Sequence, residues 1–323
     1  MGTFRGTYAV GMESLSLPGT TIDVPDLIFG ANVFGWSIRD EDEGHRLLDA
    51  VVDAGMTFLD SADMYVQWHP GGVGGESEAM IGSWLAKTGK RDKVVIATKV
   101  GKMTVRPGLR RENIFAAVDD SLRRLGTDYI DLYYAHFDDL DTPLEETLQA
   151  FHELVLAGKV RALGASNYSA TRLHEAHTIA AENNLTPYVA VQNQYNLVTR
   201  DDYETDTVGA IKDLGLMGFP YFALASGFLT GKYRAGKSPD SVRAERVSRD
   251  YLTDDNLTIL DRVLSVAKNH GVEPTSVALE WLRRRPGVHA PIASARNTEQ
   301  LATLLTRVDL SDADMDYLSG DVT

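Results

Sequence analysis

The chain has 323 residues, with 32 Lys plus Arg against 46 Asp plus Glu, a formal net charge of −14 and no cysteine. An apolar fraction of 43% with charges of both signs excludes a disordered chain or a coiled coil. The acidic balance argues against a nucleic-acid or anionic-membrane surface, and the missing cysteine removes thiolate catalysis, disulfides and Cys-ligated metals.

In chain order, the opening Met1–Val10 has no apolar stretch after Arg5, so no secretory signal is expected. Strands are expected at Leu27–Gly30, Phe58–Asp60, Val94–Lys99, Tyr129–His136, Val160–Ala165, Val189–Gln192, Gly218–Phe222 and His289–Ala293. Helical stripes alternate with them. Leu47, Leu48, Val51 and Val52 form one, and Leu144, Leu148, Phe151, Leu154 and Val155 another. Further helices fit Ser77–Ala86, Asn113–Leu125, Ala170–Asn183 and Asp254–Asn269, and several elements leave through Gly55, Gly126 or Gly158. The longest apolar stretch, Gly215–Gly231, is broken by Pro220, Ser226 and glycines. It is shorter than the roughly 20 residues of a spanning helix. A cytoplasmic protein is expected.

Strands alternating with helices, with no Pro- or Ser-rich linker, read as a single (β/α)8 TIM barrel forming one domain over residues 1–323. The rival, a doubly wound sheet, carries a G-x-G-x-x-G turn after its first strand. Here that turn reads Gly30-Ala31-Asn32-Val33-Phe34-Gly35, which does not fit. A long loop, Gly231–Arg249, follows the seventh strand and is placed at the C-terminal mouth.

Catalytic side chains of a barrel project from the C-terminal ends of its strands. The second expected strand ends at Asp60, with Tyr65 in the loop beyond; the third ends at Lys99 and the fourth at His136. Taken singly, an Asp there is a turn former and a Lys a solvated charge. Lys99, however, closes the apolar run Val94-Val95-Ile96-Ala97-Thr98 and needs a partner, for which Asp60 is placed. A phenol with a pKa of about 10 is a weak acid, and a neighbouring ammonium would lower that value. A neutral imidazole would orient a carbonyl oxygen. Such a set can protonate that oxygen while hydride, supplied by a cofactor, reaches the carbon.

Gly55-Met56-Thr57-Phe58-Leu59-Asp60-Ser61-Ala62-Asp63-Met64-Tyr65, Val95-Ile96-Ala97-Thr98-Lys99-Val100-Gly101 and Asp128-Tyr129-Ile130-Asp131-Leu132-Tyr133-Tyr134-Ala135-His136 resemble the aldo-keto reductase family. The resemblance continues through Arg161–Tyr168 and Val191–Leu197, and spans Leu27 to Leu305. It implies a catalytic tetrad of Asp60, Tyr65, Lys99 and His136, with Tyr65 as the acid. It also implies that Ser166, Asn167 and Gln192 hydrogen-bond a nicotinamide carboxamide and that Tyr221 stacks on the ring. Leu224, Ser226, Gly227 and Leu229 would form a phosphate loop, with Lys232 and Arg243 on the diphosphate. Ser294, Arg296 and Gln300 would meet the adenosine phosphate. A helix N-terminus with an Arg suits a 2′-phosphate, favouring NADPH (NADP+) with NADH as the alternative. Thr303 and Leu304 stand where the family often has Glu and Asn.

Taken alone, Tyr221 reads as a core tyrosine of the seventh strand and a loop Arg as solvated surface. The glycine-rich Pro70–Ser77 lacks the Lys-Ser/Thr of a P-loop and reads as a loop before a helix, walled by Trp68 and His69. His174 and His177 lack a third ligand, so no metal is expected. The expected function is NADPH-dependent reduction of an aldehyde or ketone to an alcohol, reversibly, on a small-molecule substrate. Loops around Asn32, Trp36, Trp68 and Tyr195–Arg200 would choose it. The alternative is a cofactor-binding regulatory subunit with little turnover on the same barrel.

Overall fold

The structure is a computed structural model that describes residues 14–233, 247 and 249–320. It opens with an antiparallel hairpin, β1 (Ser14–Ser16) and β2 (Asp23–Pro25). There follow β3 (Ile28–Gly30), α1 (Glu41–Asp53), β4 (Phe58–Asp60), α2 (Glu76–Thr88), β5 (Val95–Val100) and α3 (Arg111–Leu125). Next come β6 (Ile130–Ala135), α4 (Leu144–Leu156), β7 (Val160–Ser166), α5 (Ala170–Glu182), β8 (Tyr188–Gln192), α6 (Val208–Leu214) and β9 (Met217–Gly218). The described chain closes with α7 (Asp254–His270), α8 (Pro274–Arg283), β10 (Ile292–Ala293), α9 (Thr298–Leu305) and α10 (Asp312–Ser319).

The order β10-β3-β4-β5-β6-β7-β8-β9 is parallel throughout, the arrangement of a (β/α)8 fold. Its two ends meet through backbone bonds. The His289 N–H donates to the Gly218 carbonyl at 2.9 Å and the Ile292 N–H to the Pro220 carbonyl at 2.9 Å. Polar caps start several helices, as where Asp40, Ser169 and Thr253 accept from N–H groups of the first turn.

Side chains alternate along a strand, and this sorts the core into two clusters. Phe29, Leu59, Ile96, Tyr133, Leu163 and Val191 face the helices. Phe58, Ala97, Leu132, Tyr134, Ala162, Ala190, Phe219 and Ile292 share the other cluster, inside the ring of strands. Leu17, Ile22 and Val24 of the hairpin join this inner cluster, so the hairpin covers the N-terminal end of the strands. Phe58 meets Phe219 edge-on at 5.9 Å across the interior, a contact worth about 0.5–1.5 kcal/mol beyond its burial.

The hairpin was not among the expected elements, and two expected strands lose most of their length. Gly218–Phe222 is reduced to Met217–Gly218 because Pro220 has no N–H for a ladder and Phe222 adopts φ +55. His289–Ala293 is reduced to Ile292–Ala293, with Pro291 interrupting it in the same way. Most of the expected loop Gly231–Arg249 lies outside the described residues. Among the described residues, no helix is long and apolar enough to cross a membrane.

Candidate active site

The two-residue period that places Phe58, Ala97, Tyr134 and Ala190 in the inner cluster carries on to Asp60, Lys99, His136 and Gln192. These four occupy the next inward position along their strands, at the C-terminal end, above an apolar floor. Gly164 keeps that floor open for Tyr134: a Cβ there would lie 2.5 Å from the tyrosine ring. The Lys99 ammonium stands 5.8 Å from the centre of the same ring.

Lys99 organises the site. Its Nζ donates to Asp60 Oδ2 at 2.6 Å, to the Ser61 carbonyl at 2.6 Å and to the Tyr65 hydroxyl oxygen at 3.1 Å. All three donor positions of the ammonium are thereby used. The expected Asp60–Lys99 pair is present, and both members are buried. The Tyr65 ring stands 6.4 Å from the His136 imidazole and 5.8 Å from Trp68, edge-on to both. Trp68 is 50% exposed and flanks the Tyr65 ring on its outer side. His69 continues that loop beside the Arg39 guanidinium.

Electrostatics agree with the expected chemistry at His136 and Lys99 and depart from it at Tyr65. Burial, reinforced by the Lys99 and Lys102 charges, holds the His136 imidazole well below its ordinary range, so it is neutral. Burial pulls the Lys99 ammonium down, but Asp60 and Tyr65 more than reverse this and keep it above the usual lysine range. For Tyr65, burial pushes the phenol up, and Lys99 offsets only part of the rise. The net acidification expected from Lys99 is therefore not found; its sign is right and its size is too small. The phenol keeps its proton beside a cation able to stabilise its anion.

The candidate cofactor residues line the mouth beyond β7, β8, β9 and β10. Ser166 Oγ donates to the Gln192 carbonyl at 2.7 Å, and Asn167 Nδ2 donates to the His136 carbonyl at 2.9 Å. The Gln192 amide donates to Asp60 Oδ1 at 2.9 Å, tying the expected carboxamide site to the tetrad. Asn167 adopts φ +60, and its Oδ1 accepts from the Tyr221 hydroxyl at 2.6 Å. Tyr221 lies beyond the short β9, bridged to Gln194, and not within a strand.

Leu224 precedes the 3-10 turn Ala225–Thr230, which holds Ser226, Gly227 and Leu229. Phe222, Ala225, Ser226 and Gly227 adopt φ +55, +48, +57 and +96. Non-glycine residues in that region cost about 1–3 kcal/mol each and concentrate at ligand clamps. Mixed right- and left-handed backbone also makes concave anion sites. Lys232 follows at the end of this turn, its Nζ 5.3 Å from the Tyr233 ring; Arg243 lies outside the described residues.

After β10, Ser294 Oγ donates to Asn32 Oδ1 at 3.0 Å. Asn297 caps α9, and Gln300 Oε1 accepts from the Arg296 N–H at 3.0 Å. The Arg296 side chain is exposed and has no ion-pair partner among the described residues. Leu304 is buried, and the Thr303 hydroxyl donates to the Glu299 carbonyl at 3.1 Å.

The sequence profile of the Aldo/keto reductase family matches residues 26–320. The chain belongs to this family. It is similar to "Protein tas" of Escherichia coli (strain K12), 32% identical over 326 residues, covering 93% of this chain and 94% of that protein. It is also similar to "Uncharacterized oxidoreductase YrpG" of Bacillus subtilis (strain 168), 34% identical over 309 residues, covering 93% and 92%. A third relative is "Probable voltage-gated potassium channel subunit beta" of Oryza sativa subsp. japonica, 30% identical over 308 residues, covering 93% and 92%.

Three features of this aldo/keto reductase were not read from its sequence. Gln67 clasps two loops, its Nε2 donating to the Lys102 carbonyl at 2.9 Å and its Oε1 accepting from the Thr104 N–H at 2.9 Å. Asp63, two residues before Tyr65, is buried beside the Glu78–Arg124 pair, in which Arg124 Nε donates to Glu78 Oε2 at 2.6 Å. Lys102 stands at the mouth, with a charge that acts on His136. Its place three residues after Lys99 is the signal that was available. His174 faces Asp213 at 3.9 Å, and the described residues hold no group of three His, Asp or Glu able to bind a metal.

Proposed function

We propose that this chain is a cytoplasmic, NADPH-dependent carbonyl reductase that converts an aldehyde or ketone to an alcohol, reversibly, on a single (β/α)8 barrel domain. The observation that carries the reading is the Lys99 ammonium, hydrogen-bonded at once to Asp60 and to Tyr65. Tyr65 gives its hydroxyl proton to the carbonyl oxygen. Lys99 stabilises the phenolate that remains, and Asp60 holds Lys99 in place. The neutral His136 imidazole donates an N–H to the same oxygen and orients it. Trp68 and the half-buried Tyr65 ring present an apolar wall that keeps water from the reacting carbon.

The donor set fits a nicotinamide dinucleotide. Ser166, Asn167 and Gln192 offer a hydroxyl and two amides, which match the donors and acceptor of a carboxamide. Tyr221 supports the ring face, Leu224–Lys232 the diphosphate, and Ser294, Arg296 and Gln300 the adenosine phosphate. When bound, the dihydronicotinamide supplies hydride to the carbonyl carbon. The exposed Arg296 at the start of a capped helix favours the 2′-phosphorylated form.

The test is a panel of aldehydes and ketones with NADPH, followed by loss of the dihydronicotinamide absorbance. Carbonyl-dependent oxidation supports the reductase. The potassium-channel β-subunit relative favours one second reading, a cofactor-binding regulatory subunit. Tight NADPH binding with no turnover across the panel would select it.

A further inference from the structure

In a chain with 46 acidic and 32 basic side chains, a cation finds a carboxylate easily. Lys87, Lys90, Lys93 and Lys159 all do so, at 3.2, 2.9, 3.0 and 2.5 Å. Lys102 does not. It is exposed on the loop after β5, and no carboxylate among the described residues lies within ion-pair distance. Its charged neighbour is the like-charged Lys99.

The loop is built to hold this position. Gly101 turns the chain at φ +118, where a Cβ would meet the Phe137 ring at 2.9 Å and Leu109 at 3.0 Å. Met103, the next residue, is buried. Gln67, two residues after Tyr65, donates to the Lys102 carbonyl at 2.9 Å and accepts from Thr104 Oγ1 at 2.8 Å. Lys102 is thus fastened to the segment that carries the catalytic phenol.

The reaction core and the cofactor leave this charge unused. Asp60 already neutralises Lys99. The segments that suit the cofactor's phosphates follow β9 and β10. Lys102 follows β5, separated from β10 by β3 and β4 and from β9 by β6, β7 and β8. Partial desolvation and Lys99 hold its ammonium below the usual lysine range, a penalty that a bound anion would relieve.

We propose that Lys102 binds a carboxylate on the substrate, so that the preferred substrates are oxo acids: aldehydes or ketones with an acid group set apart from the carbonyl. This rests on the carbonyl-reductase reading above. Trp68, edge-on to Tyr65 at 5.8 Å, offers an apolar surface beside the carbonyl end of such a substrate. Lys102 is a specificity residue here, and the proton still comes from Tyr65.

The experiment compares kcat/KM for two acid–ester pairs, 4-carboxybenzaldehyde with its methyl ester and 4-oxobutanoate with its methyl ester, using NADPH at low salt. The expected result is a preference for at least one acid of about tenfold or more, shrinking at high ionic strength. In Lys102→Met that ratio should fall towards one, and in Lys102→Glu it should invert. A ratio near one for both pairs in the unmodified protein would overturn the inference. An equal ratio in Lys102→Met would also overturn it. Absence of turnover with all four compounds would overturn the reductase reading itself, and this inference with it.

Discussion

Replacing Asp63 by Asn removes a buried carboxyl whose ionisation the fold resists. Asp63 is 2% exposed, one carboxyl oxygen has no hydrogen-bond partner among the described residues, and the Glu78 carboxylate adds like charge. Burial, then Glu78, pushes its pKa from 3.8 up to about 7, against the partial relief of Arg124 and Arg106. Between pH 4 and 7 the folded protein therefore binds a proton that the unfolded chain has released. Stability is full below the unfolded value and falls as pH rises towards 7, with no further loss above it. At about 1.4 kcal/mol per pH unit, the span costs up to about 4 kcal/mol at pH 8.5. A neutral amide in place of this carboxyl carries no such cost. Asp63→Asn should be about 2–4 kcal/mol more stable at pH 8.5, and within about 1 kcal/mol of the parent at pH 4. Urea denaturation of both proteins across this range measures the difference, so that other titrating groups cancel. A gap that does not change with pH, or a variant less stable at pH 8.5, would refute the argument.

Lys99→Met and Asp60→Asn should each lower turnover far more than they weaken NADPH binding. Their combined loss should be well below the product, because the buried pair acts as one unit; multiplying losses in a double-mutant cycle would contradict this. Arg296→Ala should weaken NADPH by roughly ten- to a hundredfold and leave NADH nearly unchanged. Fluorescence titration of both cofactors at fixed ionic strength reads this, and equal loss of both would place Arg296 outside the phosphate site.

Much of the site was legible because strand residues alternate. Asp60, Lys99 and His136 end apolar runs, and the period that buries Phe58, Ala97 and Tyr134 also aims them inward. Tyr65 lies in a loop, where no period operates, and was placed only by following its strand. Ser166 and Gln192 close β7 and β8, yet their role, like that of the loop residues Asn167, Tyr221 and Leu224–Leu229, was read through the family resemblance. The hairpin β1–β2 was illegible because three-residue strands carry no periodicity and its apolar contacts come from the barrel interior. The shortened β9 and β10 show a local rule winning: Pro220 and Pro291 break ladders that apolar character suggested. The Gln192–Asp60 bond joins residues 132 apart, a contact that topology alone creates. The missed rise at Tyr65 has a similar origin, since burial is set by side chains from several strands while the Lys99 charge can be read from one.

The central claim is that Tyr65 supplies the proton for carbonyl reduction. Tyr65→Phe keeps the ring beside Trp68 and His136 and removes that proton. Single-turnover reduction of an active aldehyde, mixed against the protein saturated with NADPH, should slow by about a hundredfold or more, with NADPH affinity from fluorescence titration unchanged. Hydride transfer in Tyr65→Phe at a rate close to the parent's would contradict the account.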